Sequence, residues 1–88
     1  MTVRGSNILL IVEVAVMSLD YDLGIKAGLY ARHGVPEYWV IAPALGKAWV
    51  HSQPEGNGWR REERGGTDVL TPLASELERF HVLFGELT

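Results

Sequence analysis

Ile8-Leu9-Leu10-Ile11-Val12-Glu13-Val14-Ala15-Val16 is the stretch that decides the fold. It is almost wholly apolar and rich in Ile and Val. A continuous apolar run of strand length, without alternation, marks a strand covered on both faces, as at the centre of an α/β sheet. One residue breaks the run. Glu13 puts a carboxylate where water is scarce, and a buried carboxylate needs a cation, a donor or a metal. Two readings follow: Glu13 pairs with a basic side chain such as Lys26, or it serves a metal or catalytic role.

Downstream, Met17-Ser18-Leu19-Asp20 ends the strand. Ser18 is a candidate helix N-cap, and Asp20 and Asp22 fall in the first turns, where the helix dipole favours acids over any ligand role. A helix is expected from Leu19 to His33, closed by Gly34 at the C′ position and stopped by Pro36. Lys26 lies in mid-helix, on a face with Leu23 and Tyr30. As a helical lysine it is either solvated or, because a crossover helix packs back on its parent strand, within reach of Glu13. Glu37 to Ile41 reads as a second buried strand, and Ala48 to Ser52 and Trp59 to Glu63 as a third and fourth. Turns at Pro43–Lys47, Pro54–Gly58 and Gly65–Asp68 separate and close them. The tail from Val69 to Leu87 is open between a short strand and a short helix.

Strand, helix, strand and then a meander gives a mixed sheet, with the first two strands parallel through a right-handed crossover. A strand as apolar as Ile8–Val16 wants neighbours on both edges and cover on both faces. One helix of good length does not supply that, so an open sheet edge and a homo-oligomer formed through it are expected.

Composition bounds the function. With 88 residues the chain is one small domain, and a net charge of −3 argues against a broad basic grip on nucleic acid, though not against an acidic metal site. Without cysteine there is no disulfide framework, thiolate metal site or thiol nucleophile. Glu13 interrupts the apolar run near the start, which is too short to span a bilayer and unlike a signal peptide; a cytoplasmic protein without a membrane segment is expected. His33, His51 and His81 lie on different elements without metal-ligand spacing and read as structural or exposed. Ser18 has no evident His and Asp partners, and no Gly-rich phosphate loop occurs. Trp39, Trp49 and Trp59 fit packing positions on successive strands better than a base-stacking platform.

Ile11-Val12-Glu13-Val14, Ser18-Leu19, Tyr21-Asp22, Lys26, Leu29-Tyr30-Ala31-Arg32 and Gly34-Val35-Pro36-Glu37-Tyr38-Trp39-Val40 together resemble the signature stretch of the Uma-two family of the PD-(D/E)XK nuclease superfamily. The resemblance is specific from Ile8 to Ile41. It thins to strands and turns through Trp49, Pro54-Glu55 and Trp59, and ends near Val82-Leu83-Phe84. It implies that residues 1–88 form a single partial restriction-endonuclease-like α/β domain, truncated at the N-terminus, with a mixed sheet and a crossover helix. It further implies hydrolysis of a DNA phosphodiester with Mg²⁺ or Mn²⁺.

On that pattern Glu13 is the metal-binding and catalytic carboxylate. Ala15 stands where a lysine is usual, and Lys26 takes its place from the helix, to orient or activate water and steady phosphate charge. Tyr30 and Asp22 support the site. Two departures accompany the match: the family's upstream Pro-Asp aspartate has no counterpart, since residues 1–7 contain no acid, and Ala42 replaces an aspartate. Mg²⁺ wants several oxygen ligands, for which Asp20, Asp22 or a second copy are the candidate sources. Two functions are therefore expected in competition: an active DNA endonuclease, and a catalytically silent relative serving as an interaction or dimerisation domain. A small binding module unrelated to nucleases is the third.

Overall fold

The computed structural model describes residues 2–4, 8–65, 69–70, 72–73 and 82–83. Strand β1 (Thr2–Arg4) leads into β2 (Ile8–Val14). A continuous helical rod follows, built of α1 (Leu19–Tyr21), a π-helical turn (Asp22–Lys26) and α2 (Ala27–Arg32). Then come β3 (Glu37–Ala42), a 3-10 turn (Pro43–Leu45), β4 (Lys47–Glu55) and β5 (Gly58–Gly65). Two short strands, β6 (Val69–Leu70) and β7 (Val82–Leu83), pair with each other apart from the main sheet.

The main sheet has the order β1-β2-β3-β4-β5. β2 and β3 are parallel, with Glu13 opposite Val40, and the other pairs are antiparallel. This is the mixed sheet with a crossover helix that the alternation of elements predicts. The open edge expected beside the first apolar strand is partly covered, because β1 pairs with β2 from Ile8 to Ile11. That strand is also shorter and less enclosed than its composition suggests. It stops at Val14, and beyond its buried middle Val14 and Val16 are 48% and 80% exposed.

Each face of the sheet carries its own core. Leu10, Val12, Trp39, Ile41 and Ala48 pack on one face, joined by Leu70. Ile11, Tyr38 and Val40 face the helix and pack with Ala15, Ala27 and Val35, with Tyr30, Trp49 and Trp59 against them. Tyr38 and Trp39 therefore point in opposite directions, as the two-residue strand period requires. β3 is buried along its whole length, which accounts for its apolar sequence.

The helix ends as its residues predict. Gly34 takes φ +71°, its amide bonds to Ala31 O, and Val35 N bonds to Tyr30 O, which is the Schellman pattern. The β4–β5 turn narrows to Gly56-Asn57, where Gly56 takes φ +62°, as a hairpin turn with glycine at its first central position requires. The turn read at Gly65–Asp68 is described only at Gly65. His81 and most of the tail beyond Leu70, including Phe84, lie outside the described residues.

Candidate active site

Glu13 is the last inward-facing residue of β2, and Lys26 closes the π-helical turn above it. The crossover brings them together: Lys26 Nζ lies 3.5 Å from Glu13 Oε2. The same ammonium lies 3.4 Å from Asp22 Oδ1, one turn back along the rod. Lys26 is thus neither a free surface lysine nor the partner of Glu13 alone; it stands between two carboxylates. It also sits 5.8 Å from the Tyr21 ring centroid, within cation–π range.

Burial lowers the affinity of Lys26 for its proton, and the charges of Glu13 and Asp22 more than reverse this, leaving its pKa above the ordinary 10.5. The Tyr30 hydroxyl is pushed up from its ordinary value by burial and then by the Glu13 charge, so Tyr30 stays protonated beside the pair. The cluster lies at the C-terminal ends of the parallel strands β2 and β3, where open α/β sheets bind ligands.

Asp22 is the residue whose role changes most. As an acid of the first helical turns it needs no partner but the helix dipole, yet it is only 2% exposed. One oxygen accepts a 2.8 Å hydrogen bond from Ser18 Oγ. The other, Oδ1, accepts no hydrogen bond among the described residues; the Lys26 ammonium stands 3.4 Å from it as an ion pair. Ser18 occupies the N-cap position but makes no side-chain cap; its hydroxyl donates to Asp22 instead. Asp20 remains an exposed first-turn acid.

The π-helical turn explains how Asp22 and Lys26 are held. A π turn spaces its hydrogen bonds at i+5, so carbonyls lose their usual amide partners and such turns persist where something else satisfies them. Here side chains from the sheet do so. Tyr38 Oη donates to Asp22 O at 2.9 Å, Arg61 Nη2 to Leu23 O at 2.6 Å, and Trp59 Nε1 to Ala27 O at 2.7 Å. Arg61 Nε donates to His51 Nε2 at 2.8 Å, and His51 Nδ1 donates to Tyr38 O at 2.8 Å. His51 is wholly buried, and burial followed by the Arg61 charge lowers its pKa to about 4. It stays neutral, an acceptor towards Arg61.

Tyr38, Arg61 and His51 were not legible as parts of a site. Trp59 to Glu63 reads as a strand, and nothing local sets Arg61 apart from the charged residues beside it. Its strand parity was the available signal, because Trp59 and Arg61 share the inward face while Arg60 and Glu62 point away.

Does this donor set fit the Mg²⁺ or Mn²⁺ that the family resemblance implies? It does not form a ready site. Among the described residues, no three His, Cys, Asp or Glu side chains come together as ligands. The two carboxylates that do approach each other are both engaged by an ammonium.

A parallel β2–β3 unit with its crossover helix, extended by an antiparallel meander, is an α/β architecture consistent with a restriction-endonuclease-like domain. The family model described as "Uma2: Putative restriction endonuclease" matches residues 3–82, and the chain belongs to that family. No curated protein and no solved structure matches it. Among the described residues, no helix is long and apolar enough to cross a membrane.

Proposed function

We propose that this chain hydrolyses phosphodiester bonds in cytoplasmic DNA, with Glu13 and Lys26 as the catalytic pair, and Asp22 and Tyr30 as their support. The observation that carries this reading is the 3.5 Å approach of Glu13 and Lys26, brought from separate elements to the C-terminal ends of two parallel strands. Lys26 offers positive charge to the phosphate as negative charge builds on its oxygens, and it orients the attacking water. Glu13, about one-quarter exposed, is the carboxylate that solvent and substrate can reach. Mg²⁺ or Mn²⁺ belongs to this reading through the family, with Glu13 as its protein ligand and the remaining oxygens supplied from beyond this cluster.

A second reading has its own observation. Both carboxylates are engaged by Lys26, as in a relative that keeps the fold but not the chemistry and acts as an interaction domain, dimerising through a sheet edge. Plasmid nicking in Mn²⁺ separates the two. The nuclease reading expects nicking by the parent, and a loss of about a hundredfold or more in Glu13→Ala and in Lys26→Ala. No nicking by any of the three proteins favours the silent relative, for which a dimeric mass in solution is the further expectation.

A further inference from the structure

We propose that Lys26 is itself the resident cation of this site, and that its ammonium and a divalent metal ion exclude one another between Glu13 and Asp22. The inference starts from Asp22 Oδ1, a buried carboxylate oxygen that accepts no hydrogen bond. Leaving such an oxygen without any partner is costly, so its surroundings must supply a cation. What they supply is Lys26 Nζ at 3.4 Å. Glu13 Oε2 addresses the same nitrogen at 3.5 Å from the other side. A metal ion shared by these two oxygens needs bonds of about 2.0–2.6 Å to each, and so must stand where the ammonium stands.

The lysine is also not free to swing away with its backbone. It closes the π-helical turn, and Tyr38, Arg61 and Trp59 pin the carbonyls of Asp22, Leu23 and Ala27 around it. A second cation introduced beside the ammonium meets like-charge repulsion at a few ångströms, with no third carboxylate among the described residues to offset it. Removing the ammonium reverses the balance. Two carboxylates then face each other, one with a buried oxygen bare of partners, and a divalent ion becomes the group that satisfies them. This inference rests on the geometry of the three side chains and concerns only an ion shared by Glu13 and Asp22; the ion of the nuclease reading would reach Glu13 together with the DNA phosphate, outside the position that the ammonium fills.

The ammonium, within a few ångströms of both carboxylates, repels a metal ion competing for the same oxygens. Titration with Mn²⁺ alone, followed by the paramagnetic resonance signal of the free ion at neutral pH without DNA, reads the effect. The parent and Lys26→Arg are expected to bind weakly and alike. Lys26→Met is expected to bind at least about tenfold more tightly, and to lose that gain when Glu13→Gln is added. Parent binding as tight as that of Lys26→Met, or a folded Lys26→Met without any gain, overturns the proposal. Should Lys26→Met not fold, Lys26→Gln is read by its melting temperature, which Mn²⁺ should raise while leaving that of the parent in place. A Lys26→Gln melting temperature that Mn²⁺ does not move overturns it equally.

Discussion

Among the described residues, the sheet buries one carboxyl group against each of its faces. On the face away from the helix, Glu37 is 2% exposed and both of its oxygens are satisfied, one by Trp39 Nε1 at 2.7 Å and the other by Leu73 N at 2.9 Å. On the helix-covered face, Asp22 is just as buried, but only one of its oxygens has a hydrogen-bond donor. Burial is therefore not what separates a site from a strut. Glu37 is closed by the indole of a core tryptophan and by a backbone amide, so that each of its oxygens has a donor. Asp22 is left open towards a lysine that solvent reaches, and that opening is where chemistry or an exchange of cations can occur.

The hardest way to break this comparison is through the far face. Trp39 is fully buried, fills the core beside Leu10, Val12 and Ile41, and donates to Glu37. Replacing it by alanine leaves a cavity and removes one donor from Glu37, so Trp39→Ala is expected to cost about 3–5 kcal/mol in urea unfolding. A loss below about 1 kcal/mol would mean that this face is not the packing face of the domain.

A smaller effect tests the helix-covered face through acid. His51 has an ordinary pKa of 6.5 and a native value of about 4. Its neutral form contributes stability that is fully present above pH 6.5 and is lost as the pH falls towards 4, because the unfolded chain takes up the proton first. The slope is about 1.4 kcal/mol per pH unit, which gives about 2 kcal/mol between pH 6.5 and pH 5. Denaturant melts of the parent and of His51→Gln across that range should differ by this amount. Equal slopes in the two proteins would remove His51 from the network that holds Arg61.

The fold was legible because its elements announce themselves by different periods. The apolar run at Ile8, the Gly34-Pro36 stop and the apolar strand after it dictate a strand, a helix and a parallel strand, and the glycine-bearing turn at residue 56 sets the hairpin. The nearness of Glu13 and Lys26 was legible for a related reason: a crossover helix returns along its parent strand. The π-helical turn was not. No residue in Asp22-Leu23-Gly24-Ile25-Lys26 demands it, and what stabilises it comes from Tyr38, Trp59 and Arg61, distant in sequence. The burial of Asp22 was hidden for the same reason, since its Ser18 partner looks like an ordinary cap. Long-range satisfaction of backbone groups leaves little trace in local pattern.

The smallest effect gives the sharpest test, because it sets two neighbouring residues against each other. Tyr38 and Trp39 are adjacent in β3, both fully buried, and each donates one hydrogen bond, Tyr38 to Asp22 O and Trp39 to Glu37. Either substitution by phenylalanine removes one buried hydrogen bond, at about 1 kcal/mol for Tyr38→Phe and at least as much for the smaller ring in Trp39→Phe. Global stability therefore does not distinguish them; amide hydrogen exchange does. Tyr38→Phe frees the carbonyl at the start of the π-helical turn and should speed exchange from Asp22 through Ala27, where the backbone carries Lys26. Trp39→Phe should leave those amides as protected, relative to its own global stability, as they are in the parent. If both variants loosen the turn equally, the two faces are one cooperative unit and the clamp on Lys26 is nothing more than general packing. If only Tyr38→Phe loosens it, a single hydroxyl from the sheet helps fix the ammonium between its two carboxylates.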